Sequence, residues 1–132
     1  GKLPPLCGLT DLMNQLLTTK HVTLTDTALT EVFSVPNGFV AHITYVFVAN
    51  HGGSTNNIDV YWDNASVPQV YIFDGVTVNA GNREILGGQG GALFVLHEGE
   101  SVQAQASAAG NMEVVLTFDL KFDPFGFSNF NT

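Results

Sequence analysis

Four histidines, His21, His42, His51 and His97, are the side chains here best suited to bind a metal or carry a proton near neutral pH. A metal site brings several such groups together, and no HxH or HxxxH pair occurs. His97 is followed by Glu98, but neighbours along a strand point to opposite faces, so His97 reads as a hydrogen-bonded core residue. Asp59, Asp63 and Asp74, with Asn56, Asn57 and Asn64, offer the oxygen ligands that calcium prefers. They lack the EF-hand spacing, and solvated loop carboxylates are the simpler reading. Gly87-Gly88-Gln89-Gly90-Gly91 has the glycines of a phosphate-binding loop without its lysine or its following helix, and reads as a connection between strands. No serine sits in GxSxG. A single cysteine, Cys7, excludes an internal disulfide and a multi-cysteine zinc site, and reads as a small buried apolar residue. The sequence therefore predicts no catalytic residue, no cofactor and no metal site, and a protein that is not an enzyme.

Composition points the same way. Of the 132 residues, 45% are hydrophobic and only 12% are charged, about half the charged share of ordinary soluble domains. Disordered chains are polar and highly charged, so the sequence predicts a folded domain, of a size that fits one core. A low charge also suits a surface that spends its time against neighbours. The formal net charge is −8. Lys2, Lys20, Arg83 and Lys121 are scattered, which argues against a nucleic-acid partner and against an anionic membrane surface. No apolar run approaches the ~20 residues of a membrane-spanning helix, and Gly1-Lys2-Leu3-Pro4-Pro5 does not read as a secretion signal.

The elements follow from the apolar period. Leu9, Leu12, Met13, Leu16 and Leu17 recur at helical spacing, so residues 1–20 read as a short helical or extended arm. A helix of about three turns is marginal alone in water and must dock on its own domain or on a neighbour. From residue 21 to 123 the period is two. In Phe39–Val48, Ile43, Tyr45 and Phe47 are expected on one face and His42, Thr44, Val46 and Val48 on the other. Both faces are apolar enough for a central strand. Ile58, Val60 and Trp62 alternate with Asp59, Tyr61 and Asp63, so Trp62 is expected in the core and Tyr61 outside it. That reading is preferred to an aromatic sugar platform built from Trp62, Tyr61, Tyr71 and Phe73. Val102, Ala104 and Ala106 alternate with Gln103 and Gln105. Met112, Val114, Leu116, Phe118, Leu120 and Phe122 form a last regular strand.

Pro36-Asn37-Gly38, Asn79–Asn82, Glu98-Gly99-Glu100 and Ala109-Gly110-Asn111 mark turns. The result is an all-β, antiparallel, jelly-roll-like β-sandwich of about eight or nine strands. A jelly-roll enzyme of the cupin type would need histidines and a carboxylate converging inside, with an HxH that is absent here. The tail, residues 124–132, carries Phe125, Phe127 and Phe130, whose rings lose a few kcal/mol if left in water.

Three stretches carry a family resemblance. Phe33-Ser34-Val35-Pro36-Asn37-Gly38 turns one apolar strand into another, and Tyr45-Val46-Phe47-Val48-Ala49-Asn50 ends a long strand before a Gly/Ser/Thr/Asn loop. Leu96-His97-Glu98-Gly99-Glu100-Ser101-Val102-Gln103-Ala104-Gln105-Ala106-Ser107-Ala108-Ala109 follows later. Over Thr27–Phe122 the chain resembles small bacteriophage virion β-domains. It departs from them in Glu100, where aspartate is usual, and in its two ends. The resemblance implies a structural protein at the capsid surface, a cement (decoration) protein, or else a neck, tail or fibre component. It implies the major capsid protein or other virion subunits as partners and a homo-oligomer, with a trimer favoured. Leu9, Leu12, Met13, Leu16, Leu17, Phe125, Phe127 and Phe130 are the expected interface residues. A carbohydrate-binding β-sandwich module is the alternative.

Overall fold

The computed structural model describes residues 16–64, 69–87 and 91–123. Among them are nine strands and no helix: β1 (Leu16–Leu24), β2 (Thr30–Ser34), β3 (Phe39–Asn50), β4 (Asn56–Asp63), β5 (Val70–Val78), β6 (Arg83–Gly87), β7 (Phe94–Leu96), β8 (Ser101–Ala106) and β9 (Met112–Phe122). One antiparallel sheet runs β1-β9-β3-β6, with β7 pairing further along the same edge of β3 as β6. The other runs β2-β8-β4-β5. The chain passes repeatedly from sheet to sheet, so strands remote in sequence lie side by side, and the architecture is a jelly-roll-like sandwich.

Period-two alternation explains why two layers form. Each central strand has one apolar face that only a second sheet can cover. β9 turns Met112, Val114, Leu116 and Phe118 inward, and β4 and β8 answer with Ile58, Val60, Val102, Ala104 and Ala106. Trp62 packs against this core, partly buried and stacked on Phe94 at 6.2 Å, whereas Tyr61, expected outside, is itself buried, at 7% exposure, against Tyr71. Its indole Nε1 is buried with no hydrogen-bond partner among the described residues. Pro36–Phe39 closes as a four-residue turn, Phe39 N donating to Pro36 O at 3.2 Å, with Gly38 at φ 83°.

Two further expectations are corrected. In β3 the alternation reverses. Ile43 pairs with Phe118 and Tyr45 with Thr117, so Thr44 is an extra residue in the ladder, a β-bulge. Ala41 and Ile43 face the core before it and Val46 and Val48 after it, all fully buried. Tyr45 and Phe47 are thereby turned outward, away from the face that Ile43 occupies. The Thr44 hydroxyl donates to Thr117 O at 3.1 Å across the bulge. Gly87, with φ 100°, lies against the same residue, and a Cβ there would collide with the Thr44 carbonyl oxygen. The second correction concerns the arm. Leu16 and Leu17 are not on a helix face: they begin β1, whose nine residues pair with β9 from Leu16↔Leu120 to Leu24↔Met112. Backbone pairing with a long neighbouring strand outweighs a helical side-chain period that cannot stabilise a short helix by itself. Leu9, Leu12, Met13, Phe125, Phe127 and Phe130 lie outside the described residues.

Candidate functional site

The bulge at Thr44 shapes the outer surface of the five-stranded sheet. Directly opposite residues share a face, so the pairing places His21, Val115, Phe47 and Ile85 in one row across β1, β9, β3 and β6. The next row is Thr19, Thr117 and Tyr45, closed by Gly87. Tyr45 and Phe47 stack at 6.4 Å with their planes 15° apart, and Ile85 is 48% exposed. No strand or helix among the described residues covers this face. Leu17, at its β1 margin, is 74% exposed. The result is an apolar, partly aromatic patch of Val115, Tyr45, Phe47 and Ile85 over β9, β3 and β6, bordered toward β1 by Thr117, Thr19 and His21, on a sheet whose other face is the core.

Charges frame the patch. The Arg83 guanidinium lies 5.7 Å from the centre of the Phe47 ring, a cation–π contact. His51 Nε2 and Glu113 Oε1 pair at 2.6 Å beside it. These two side chains are exposed enough that the pair adds little stability. A small cleft of about 160 Å³ lies between them and Arg83, lined also by Phe47, Asn50 and Asn82. A His–Glu pair could orient a general base, but no serine, threonine or cysteine lines this cleft for it to activate.

At the other end of the face His42 stands opposite Asp119 and Val95. Burial lowers its pKa, helped by Lys121 and His97 and opposed by Asp119. A lowered folded pKa means that protonation favours the unfolded chain. Stability from this residue is complete above the unfolded histidine pKa of about 6.5 and is lost as pH falls below it. His42→Gln is therefore expected to flatten the fall in stability between pH 7.5 and 5.5, read by urea unfolding at both. An equal fall in variant and parent would contradict it.

The opposite outer face, on the four-stranded sheet, is polar. Gln103 Nε2 donates to Asp63 Oδ2 at 2.9 Å, and Gln105 Nε2 donates to Thr27 O at 2.9 Å. Asp59 accepts from Gly75 N at 2.6 Å and from the Tyr61 hydroxyl at 3.3 Å. Desolvation by burial, the Tyr71 hydroxyl and Asp59 push the Tyr61 pKa up to about 12. These carboxylates are spent on local hydrogen bonds. No group of three His, Cys, Asp or Glu able to hold a metal occurs among the described residues. His97, half-buried, meets Glu100: its Nδ1 lies 3.6 Å from Glu100 Oε1, and its backbone N donates to the same oxygen at 2.8 Å. Among the described residues no helix is long and apolar enough to cross a membrane.

Of the interface residues expected from sequence, the described structure places Leu17 on the apolar face and Leu16 at the start of its edge strand. Tyr45, Phe47, Ile85 and Val115 were not anticipated as surface. Their signal was present in the apolar character of both faces of β3, but the bulge that decides which face is outer has no sequence mark.

No protein-family model matches the chain, and no curated protein matches it. Solved structures match its fold. A chain of the acidic stable capsid of Helicobacter pylori bacteriophage KHP30 superposes with a TM-score of 0.51 at 13% identity, covering 84% of this chain and 89% of that one. A chain of Bacillus endospore appendages, a novel family of disulfide-linked pili, gives 0.50 at 8% identity, covering 83% and 89%. At such identities what is shared is the sandwich fold, found in both a capsid and a pilus.

Proposed function

We propose that this protein is a structural subunit of a large assembly, a virion protein of the cement (decoration) kind that sits on a capsid and bridges neighbouring capsid subunits. The observation that carries this reading is the uncovered apolar face of Tyr45, Phe47, Ile85 and Val115 on a chain with few charges. Contiguous apolar surface of this kind marks protein contact. The fold shared with a capsid chain supports the setting. The termini extend the same role: Leu9, Leu12, Met13, Phe125, Phe127 and Phe130 are the anchors on the major capsid protein. The protein is not an enzyme, and its place is the virion surface.

Particle binding tests it. Phe47→Thr with Ile85→Thr should leave the domain folded at a cost of no more than about 2 kcal/mol, since Ile85 is 48% exposed and Phe47 stands on the outer face of the sheet. Binding to particles that lack the protein should fall at least about tenfold. Deleting residues 124–132, or residues 1–15, should each weaken binding and leave the sandwich folded. Normal binding by all three variants would overturn the proposal. Copy number in intact particles separates cement, present in hundreds, from a neck, tail or fibre part. A second reading, a carbohydrate-binding module, is favoured by Tyr71, half-exposed on Tyr61 at 4.7 Å beside Asp59. A response on a glycan array that Tyr71→Ala removes would select it.

A further inference from the structure

The turn at Pro36-Asn37-Gly38 holds chemistry that a structural role leaves unused. Asn37-Gly38 is the one Asn-Gly step in the chain. The Asn37 side chain is exposed and makes no hydrogen bond with the described residues. Its amide carbon, Cγ, and the next backbone nitrogen, Gly38 N, close a five-membered ring when they join. Glycine has no Cβ to crowd that approach. The nitrogen is held, however. Gly38 N donates to Glu98 Oε1 at 2.9 Å, across 60 residues of chain. Glu98 stands between β7 and β8, in a turn that Glu100 N closes on His97 O at 3.0 Å. That turn is tied to the same corner, Gly99 N donating to Val35 O at 3.0 Å and Val35 N to Glu100 O at 2.9 Å. Gly38 O accepts from Asp123 N at 2.5 Å. Both backbone polar groups of Gly38 are therefore fixed by residues outside its own turn.

We propose that Asn37 is a site of spontaneous deamidation and that Glu98 sets its rate by holding the attacking nitrogen. The inference stands apart from the role proposed above. Hydroxide takes the proton of Gly38 N, the nitrogen's electron pair attacks Asn37 Cγ, and the Cγ–Nδ2 bond breaks. Nδ2 takes a proton from water and leaves as ammonia, which restores the hydroxide and leaves a succinimide ring. Water then adds to one of the two ring carbonyls. Breaking the bond between Gly38 N and Cγ gives aspartate. Breaking the bond between Gly38 N and the main-chain carbonyl carbon gives isoaspartate, whose backbone runs through the side chain. The balance is one water in and one ammonia out. Glu98 opposes the first step. Its carboxylate is too weak a base to take an amide proton, but its charge stabilises the N–H and disfavours an anion on the same nitrogen. The nitrogen must also leave Glu98 to reach Cγ. Conversion adds one negative charge to each chain, on the turn that Glu98 holds, and isoaspartate lengthens that turn by one backbone atom.

Incubation of the whole chain in mildly alkaline buffer tests both parts. Peptide mass spectrometry reads the exchange of ammonia for water at each asparagine, and an isoaspartate-specific methylation assay reads the rearranged product. Glu98→Gln keeps an acceptor without the charge, and Glu98→Ala removes both. Each should convert Asn37 at least about threefold faster than the parent, with alanine the faster. In Glu98→Ala, Asn37 should be the first asparagine to convert. In urea the fold no longer brings residue 98 to residue 38, and parent and variants should convert at one rate. Circular dichroism checks that the variants are folded before incubation; if alanine disturbs the corner, the glutamine variant carries the comparison. An Asn37 that converts no sooner than the other asparagines in the folded variants would overturn the site. Equal rates in folded parent and folded variants, or a difference that persists undiminished in urea, would overturn the control by Glu98.

Discussion

Alanine at Asn50 is expected to lower the unfolding free energy by about 2–3 kcal/mol, from one buried and two half-buried hydrogen bonds at up to about 1 kcal/mol each. Asn50 ends β3 and is 2% exposed. Its Nδ2 donates to Ser54 O at 2.8 Å and to Val78 O at 2.9 Å, and its Oδ1 accepts from Gly52 N at 2.8 Å. Its own backbone closes the knot, accepting from Gly81 N at 2.8 Å and donating to Asn82 O at 2.9 Å. One side chain thus ties the end of β3 to the loop that follows it and to the β5–β6 turn. Alanine leaves two carbonyls and one N–H without partners, the Val78 carbonyl in a place water reaches poorly. Asn50→Asp is the sharper control. It keeps the shape but turns two donors into acceptors facing carbonyls, so at neutral pH it should cost at least as much as alanine. Urea unfolding with an unchanged m-value, and faster amide exchange at residues 51–55 and 79–82, are the readouts. A loss under about 1 kcal/mol would mean that solvent replaces these bonds freely.

The same residue shows what could be read without coordinates. The Ala-Asn at the end of a long strand was legible as a motif, but its reason, a buried amide holding two loops, needed contacts across 28 residues of chain. Asn56 is the parallel case. Its Nδ2 donates to Ala108 O and its Oδ1 accepts from Ala108 N, pinning the β8–β9 turn 52 residues away. Strand existence, the turns at Gly38 and Gly99 and the core faces of β4, β8 and β9 followed from alternation, because these strands keep a strict period of two. β3 did not follow, since one extra residue, Thr44, inverts everything after it, and a threonine in a strand carries no sign of a bulge. β1 did not follow either. Its leucines fit a helix locally, and only the tertiary pairing with β9 decides. The candidate interface suffered from the same gap: a surface made by four strands exists only once their register is known.

Phe118→Ala is expected to cost about 4 kcal/mol, the upper half of the usual range for a buried phenylalanine. Phe118 is fully buried in the centre of β9. Its ring meets Phe33 of the other sheet at 4.1 Å, tilted by 30°, so it fills the space between the layers at the point where β2 and β9 face each other. Truncation removes the ring and its partner's contact together, and neighbouring backbone, held in two sheets, cannot move in to close the cavity. Phe47→Ala makes the informative comparison. Both residues are phenylalanines on central strands of the same sheet, but Phe47 stands on the outer face, where its contacts are Tyr45 and Arg83. Its loss should cost about 1 kcal/mol. The gap between the two, measured by denaturant unfolding, reports which face of the sheet the fold uses. What remains on the other face is apolar surface that stability does not require, which is the physical ground for assigning it to a partner. Equal losses from Phe118→Ala and Phe47→Ala would remove that ground, because the outer patch would then be a second core.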